Sequence, residues 1–342
     1  MAKMAFSLEE APCGSTGFFT LGGFCSSRQR IPVSENEKED RSVPPEEWVF
    51  NLPSLPLLLQ SIVSGLLMGG VYSLVAIGLS LIFGVMRIIN FAHGSFMMLG
   101  MFTTYWLYVL LGIDPYLSLL LSIPLLFVFG TLVERFVIDK VLSAPEHNQL
   151  LLTLGISMFI ENFSLLLWSP NYRALDAPYS NMAMTVGTVM ISFPKVVAFL
   201  FAVLLTGALY YFLKKTDLGK AIRAASEEKE GSLTVGINLK RIYYIAFGIG
   251  TACVGAAGTV TAPFFYINPH VGGVFVITAF VVVVLGGMGN FIGAFFGGLI
   301  IGLAESVGAA FIPGQLKQFI IYFIFILVLL FKPAGLFGKA NG

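Results

Sequence analysis

The sequence is poor in charge. Only 11% of its 342 residues are Asp, Glu, Lys or Arg, against about 25% in ordinary globular domains. Hydrophobic residues make up 56%, and that balance excludes a soluble domain. The 20 basic and 19 acidic side chains leave a formal net charge of +1, which offers nucleic acid no electrostatic footprint. Cysteine is scarce as well. Cys13, Cys25 and Cys253 are scattered, with neither metal-ligand spacing nor a paired framework. Cys253 lies in a Gly/Ala-rich apolar run and reads as a small packing residue. No apolar run of signal-peptide length follows the first basic residues, which argues against a cleaved secretion signal.

Long hydrophobic runs are what the chain has instead. A spanning helix needs roughly 20 apolar residues. Windows of that character fall near 57–84, 90–111, 116–137, 149–168, 189–213, 242–264, 273–289, 292–312 and 317–331. They predict an all-α polytopic transmembrane bundle of about eight or nine spans. The stretch 273–312 reads as two helices or as one broken span with a re-entrant piece. Residues 1–50 are polar around Glu35–Arg41 and Pro44–Glu47 and read as a disordered extension. Residues 51–338 form the membrane domain, with a charged loop at 214–241, and residues 339–342 form a short tail.

The positive-inside rule orients the bundle. Basic residues gather between Arg135 and Lys140, in the 214–241 loop and at Lys332 and Lys339. The alternate connections, 112–115, 169–188 and 262–273, are nearly free of them. The charged loop and the C-terminal end are therefore expected in the cytoplasm. Trp168, Tyr172 and Tyr179 around the 169–188 loop suit an aromatic anchor at the opposite interface.

Two glycine-rich breaks interrupt the apolar runs: Asn90-Phe91-Ala92-His93-Gly94-Ser95 and Gly286-Gly287-Met288-Gly289-Asn290-Phe291. Each holds Asn-Phe close to Gly, a weak sign of an internal pseudo-repeat. Unwound backbone at membrane depth must be buried in protein or face water, and transporters place paired broken helices around a midplane route. Asn90, His93, Gly94, Ser95, Gly286, Gly287, Gly289 and Asn290 are thus candidates for lining a translocation pathway. Tight turns with close glycine packing are the other reading. Among the ionisable residues, His93 would satisfy a backbone carbonyl at the break. Glu161 would make a polar packing contact with Asn162, and Glu305 raises the same question. No series of Asp, Glu and His at helical spacing supports a proton pump.

The stretch from Asp217 to Glu230 reads as a short polar helix that Gly231 weakens, followed by a turn at Gly236-Ile237-Asn238. Val235 and Ile237 give this charged loop apolar contacts suited to a docking partner.

These residues resemble the LivH-like permease subunits of branched-chain amino acid importers of the ATP-binding cassette class. The resemblance covers about residues 57–338. It rests on Ile89-Asn90-Phe91-Ala92-His93-Gly94, the segment 147–154, Val235-Gly236-Ile237-Asn238, Val284-Leu285-Gly286-Gly287-Met288-Gly289 and the closing 331–338, in that order. It implies a non-enzymatic, multi-pass subunit of a bacterial cytoplasmic membrane. A second, LivM-like permease would pair with it, two cytoplasmic ATPases would drive it, and an extracellular or periplasmic substrate-binding protein would deliver cargo. Arg223, Glu228, Glu230 and Gly236 stand at the positions of an ATPase-coupling segment. The chain lacks a Gly-x-x-x-x-Gly-Lys-Ser/Thr phosphate loop, so it binds no cofactor itself and ATP is used by the partners. Three features depart from the family pattern: the first 50 residues, Gly231 and Ser232 where alanines are common, and Thr278 where many relatives have lysine. Related permeases carry urea or short amides on the same scaffold, and an ion-coupled transporter working alone is a further alternative.

Overall fold

The computed structural model describes residues 53–311, 317–332 and 334–338; the expected extension at 1–50 and the tail at 339–342 lie outside them. The protein is an all-α membrane bundle. Its elements are α1 (Leu55–Met86), α2 (His93–Leu111), α3 (Leu119–Val133), α4 (Glu146–Trp168), β1 (Ala183–Val186), β2 (Val189–Ser192), α5 (Phe193–Lys215), α6 (Asp217–Glu227), α7 (Lys229–Thr234), α8 (Leu239–Thr261), α9 (Val271–Gly286), α10 (Phe291–Phe311) and α11 (Lys317–Phe331). A π-helical turn, Glu134–Ile138, extends α3. Among the described residues, seven helices are long and apolar enough to cross a membrane. Helices α9, with 16 residues, and α11, with 15, are shorter. The 273–312 region is therefore two helices joined by a turn. The 189–213 window begins as strand β2 and becomes helical only at Phe193, next to Pro194 in the first turn, where proline is tolerated.

Helix α1 forms the spine. At 32 residues it runs ~48 Å and packs along α10, with α5, α8 and α9 also against it. Lipid tails give helices no hydrophobic reason to associate, so small residues and hydrogen bonds must hold them. Here a Cβ on Gly65 would sit 2.8 Å from the Gly302 carbonyl oxygen, and one on Gly69 would sit 2.8 Å from Leu299 Cα. Ser73 Oγ lies 2.7 Å from both the Gly69 and the Phe295 carbonyl oxygens. Helix α8 is held to α3 by the same means: Thr251 Oγ1 donates to Leu126 O (3.1 Å), and Thr259 Oγ1 to Ser122 Oγ (2.8 Å). Leucines and phenylalanines on α4, α5 and α11 point outward, where lipid replaces water.

The 169–192 connection ends in an antiparallel hairpin of β1 and β2, with Ala183 opposite Ser192. Arg173 and Ile267 exchange backbone hydrogen bonds of 2.9 and 2.8 Å across this end. Trp168 stacks on Phe102 at 4.2 Å and Tyr179 on Tyr116 at 5.2 Å, while Tyr172 stays exposed.

The charged loop corrects one expectation. Its helix does not fade at Gly231; it breaks earlier, at Glu228, whose backbone is extended (φ −145°), and resumes as α7 through Gly231. Ser232 explains the restart, because both its N–H (3.1 Å) and its Oγ (2.8 Å) donate to the Glu228 carbonyl.

Candidate functional site

Thr153, Ser157 and Glu161 recur every four positions along the apolar helix α4, so they share one side of it. Each meets a different segment of the chain. Thr153 Oγ1 lies 3.0 Å from Ile89 O and accepts from Phe91 N–H at 3.3 Å, tying down the first break. Ser157 Oγ is 2.8 Å from Ser95 Oγ on α2. Glu161 pairs with His270, the residue immediately before α9. The result is a polar track from the first break, past the start of α2, to the start of α9. A Cβ on Gly94 would run into the Gly272 carbonyl, so glycine at both positions lets the two helix starts meet backbone to backbone.

Arg87 ends α1 in the left-handed region at φ 58°. Asn90 Oδ1 accepts from Ala92 N–H at 3.1 Å, and His93 Nε2 lies 2.9 Å from the carbonyl of Val75, deep in α1. Both side chains are fully buried. Asn90 Nδ2 and His93 Nδ1 have no hydrogen-bond partner among the described residues. The structure thus gathers Asn90, His93, Gly94 and Ser95 in one place.

The second break is built differently. Gly287 and Gly289 have φ of 96° and 81°. Asn290 Oδ1 caps α10 by accepting from Gly293 N–H (3.0 Å), and its Nδ2 donates to Phe337 O (2.7 Å). Leu336 N–H donates to Leu285 O at 2.7 Å. Gly286 abuts Gly293, and Gly289 lies against Gly84 near the end of α1. Gly286, Gly287, Gly289 and Asn290 are therefore a turn clasped by residues 334–338, apart from the α4 track.

One reading of an ionisable residue changes. Asn162 does not meet Glu161; its Nδ2 donates to Met158 O at 2.8 Å within its own helix. Adjacent helical positions do not face each other, and Glu161 turns to His270 instead. Glu305 accepts from Tyr72 O–H at 2.7 Å, joining α10 to α1. Sequence reasoning also passed over Glu134. It is fully buried in the π turn, and neither carboxylate oxygen has a hydrogen-bond partner among the described residues. The four-residue recurrence of Thr153, Ser157 and Glu161 was a signal available in the sequence. His270, in an irregular segment, carried none.

Beside His270, a groove of about 250 Å³ opens between α9 and α11, lined by Val274, Ile277, Thr278, Ile321 and Tyr322 among others. At the other end of α8, Thr216 caps α6 by accepting from Gly219 N–H (3.0 Å), and Arg223 Nε donates to Leu213 O (3.0 Å). Ile222 and Ala225 are buried, whereas Glu228, Glu230 and Gly236 are exposed, as are the apolar side chains of Leu233 and Val235. Gly236 holds φ 81°. Among the described residues, no three His, Cys, Asp or Glu side chains gather as a metal set.

A family model described as the permease component of branched-chain amino acid transport systems matches residues 61–329. The high-affinity branched-chain amino acid transport system permease protein BraD of Pseudomonas aeruginosa is 31% identical over 301 residues, 84% of this chain and 98% of the relative. The corresponding LivH protein of Escherichia coli K12 is 30% identical over 295 residues, 82% and 96% of the two chains. A probable LivH of Methanocaldococcus jannaschii is 29% identical over 289 residues, covering 78% and 88%. No solved structure matches the chain.

Proposed function

Because the chain belongs to the family of branched-chain amino acid transport permease components, we propose that it forms, with a second permease, the membrane route of an ATP-driven importer for branched-chain or other neutral amino acids. Separate ATPases on the basic side hydrolyse ATP, and a substrate-binding protein delivers cargo at the hairpin side. The basic end, with α6 and α7, faces the cytoplasm, in keeping with the positive-inside rule. The first break and the α4 track are this chain's share of the route. Arg223, Glu228, Glu230 and Gly236 belong to the coupling segment.

One observation carries this reading. The long charged segment between α5 and α8 folds as α6–α7 against α1 and α8, while leaving Leu233 and Val235 uncovered. Helices that pack on the spine and offer apolar side chains to a partner suit the transmission of force. A ligand shifts such a device only through different affinities for its states.

The test is uptake of radiolabelled leucine and urea into proteoliposomes holding the chain with its co-purified partners, with and without ATP on the ATPase side. ATP-dependent accumulation of leucine supports the reading. ATP-dependent urea accumulation keeps the machine and changes the cargo. Uptake by the chain alone without ATP overturns it.

A further inference from the structure

Glu161 is an expensive residue. It stands on an apolar spanning helix, roughly 10 Å from that helix's end at Trp168, where an isolated carboxylate is strongly disfavoured. Its partner His270 comes from a segment 109 residues away in sequence. The pair is not sealed in: the His270 side chain is 57% and that of Glu161 31% exposed. Charged groups at such depth that remain accessible mark a route or an assembly face. Here the pair sits where the polar track of α4 ends and the groove between α9 and α11 begins, with His270 lining both.

We propose that the Glu161–His270 pair and this groove form a subsite for a zwitterionic neutral amino acid. The Glu161 carboxylate accepts from the ligand's ammonium, an imidazole N–H of His270 donates to its carboxylate, and an aliphatic side chain lies against Val274, Ile277 and Ile321. The inference rests on the importer reading and adds to it the residues that hold the cargo on that route. The groove's volume, about 250 Å³, lies just below the usual range for small-ligand pockets. A zwitterion entering a low-dielectric passage must lose the hydration of two opposite charges. A carboxylate and an imidazole N–H that are partnered with each other when empty can exchange partners with it, so both ends of the ligand regain a hydrogen-bond partner. Urea carries no charge. It could donate to the Glu161 carboxylate, but it brings no carboxylate for the His270 N–H and no aliphatic side chain for the groove, so it uses only part of the site.

The experiment uses the assembled complex with its binding protein in proteoliposomes, comparing the natural chain with Glu161→Gln, His270→Gln and, as a control on the same helix, Asn162→Ala. Uptake of radiolabelled leucine and ATP hydrolysis stimulated by the loaded binding protein are both normalised to assembled complex. We expect Glu161→Gln and His270→Gln to lower leucine moved per ATP roughly tenfold or more, with hydrolysis and the control unchanged. Unchanged leucine per ATP in both variants overturns the subsite and leaves the importer standing. A parallel fall of uptake and hydrolysis in fully assembled complex also overturns it, because the pair would then serve coupling. A natural complex that moves urea and no amino acid overturns the zwitterion assignment alone. One that moves nothing with ATP removes the importer reading itself.

Discussion

Lys229, at the start of α7, lies close enough to Arg87, the left-handed residue that ends α1, for their positive charges to repel. Burial is the larger influence and this repulsion the second; together they hold the Lys229 ammonium below its usual range. Its head also lies over the Tyr243 ring, 5.8 Å from the centroid. The segment proposed to receive force therefore meets the first break through a contact that is electrostatically unfavourable. A lysine with a lowered folded-state pKa makes folding less favourable at neutral pH. The deficit shrinks as pH rises through the folded value toward the unfolded one near 10.5. We expect Lys229→Met to increase hydrogen-exchange protection of α7 at pH 7. The natural protein should approach the variant as pH is raised. Equal protection at both pH values would remove the repulsion from the account.

Gly236 holds φ 81°, and its N–H donates to Leu233 O at 3.0 Å. Proline can supply neither the dihedral nor the donor. An alanine there strains the backbone by about 1–2 kcal/mol. We expect Gly236→Pro to abolish ATP-dependent uptake and Gly236→Ala to weaken it several-fold, each with normal insertion. Normal transport by assembled Gly236→Pro protein would detach this turn from coupling.

Gly94 and Gly272 make the backbone contact that sets the start of α2 on the start of α9. Adding a side chain should cost about 1–3 kcal/mol, because a backbone carbonyl cannot move aside as a side chain can. We expect Gly94→Val to lower the Tm of the purified protein in detergent by several degrees. Gly155, in α4, has open space around it, and Gly155→Ala should hold or raise Tm.

Tyr179 O–H donates to Asp114 Oδ2 at 2.8 Å, and Asp114 Oδ1 accepts from Tyr116 N–H at 2.8 Å. Burial first, then the hydrogen bond to Asp114 and nearby charges, raise the Tyr179 phenol above its usual range. Because the folded pKa is raised, this stabilisation is complete below the unfolded value of about 10. It is lost as pH rises from there toward the folded value. Tyr179→Phe should lower stability by about 1–2 kcal/mol at pH 7. It should also flatten the alkaline loss of Tm that the natural protein shows.

Legibility followed the physics of the bilayer. Each apolar window has its helix because lipid leaves the backbone no alternative, and the first break showed itself in the polar and glycine residues of Asn90–Ser95. The 189–213 window misplaced its start because Val189 and Ile191 suit a strand as readily as a helix. Glu161 was conspicuous by its cost, but its partner was not. His270 belongs to an aperiodic segment, and no local spacing joins it to a residue 109 positions earlier. Asn162 attracted the assignment by adjacency, although neighbouring helical positions diverge. Glu134 escaped notice because its burial follows from a π turn, a register that amphipathic periodicity does not report.

The clasp on the second break also orders the making of the protein. Asn290 donates to the Phe337 carbonyl and Leu336 N–H donates to the Leu285 carbonyl just before the turn, and Phe337 is translated 47 residues after Asn290. While α10 and α11 are being inserted, Asn290 Nδ2 and the Leu285 carbonyl await those partners. A chain shortened before residue 336 would keep the turn's own hydrogen bonds but leave those two partners unmet, so the last residues finish a joint made much earlier in the chain.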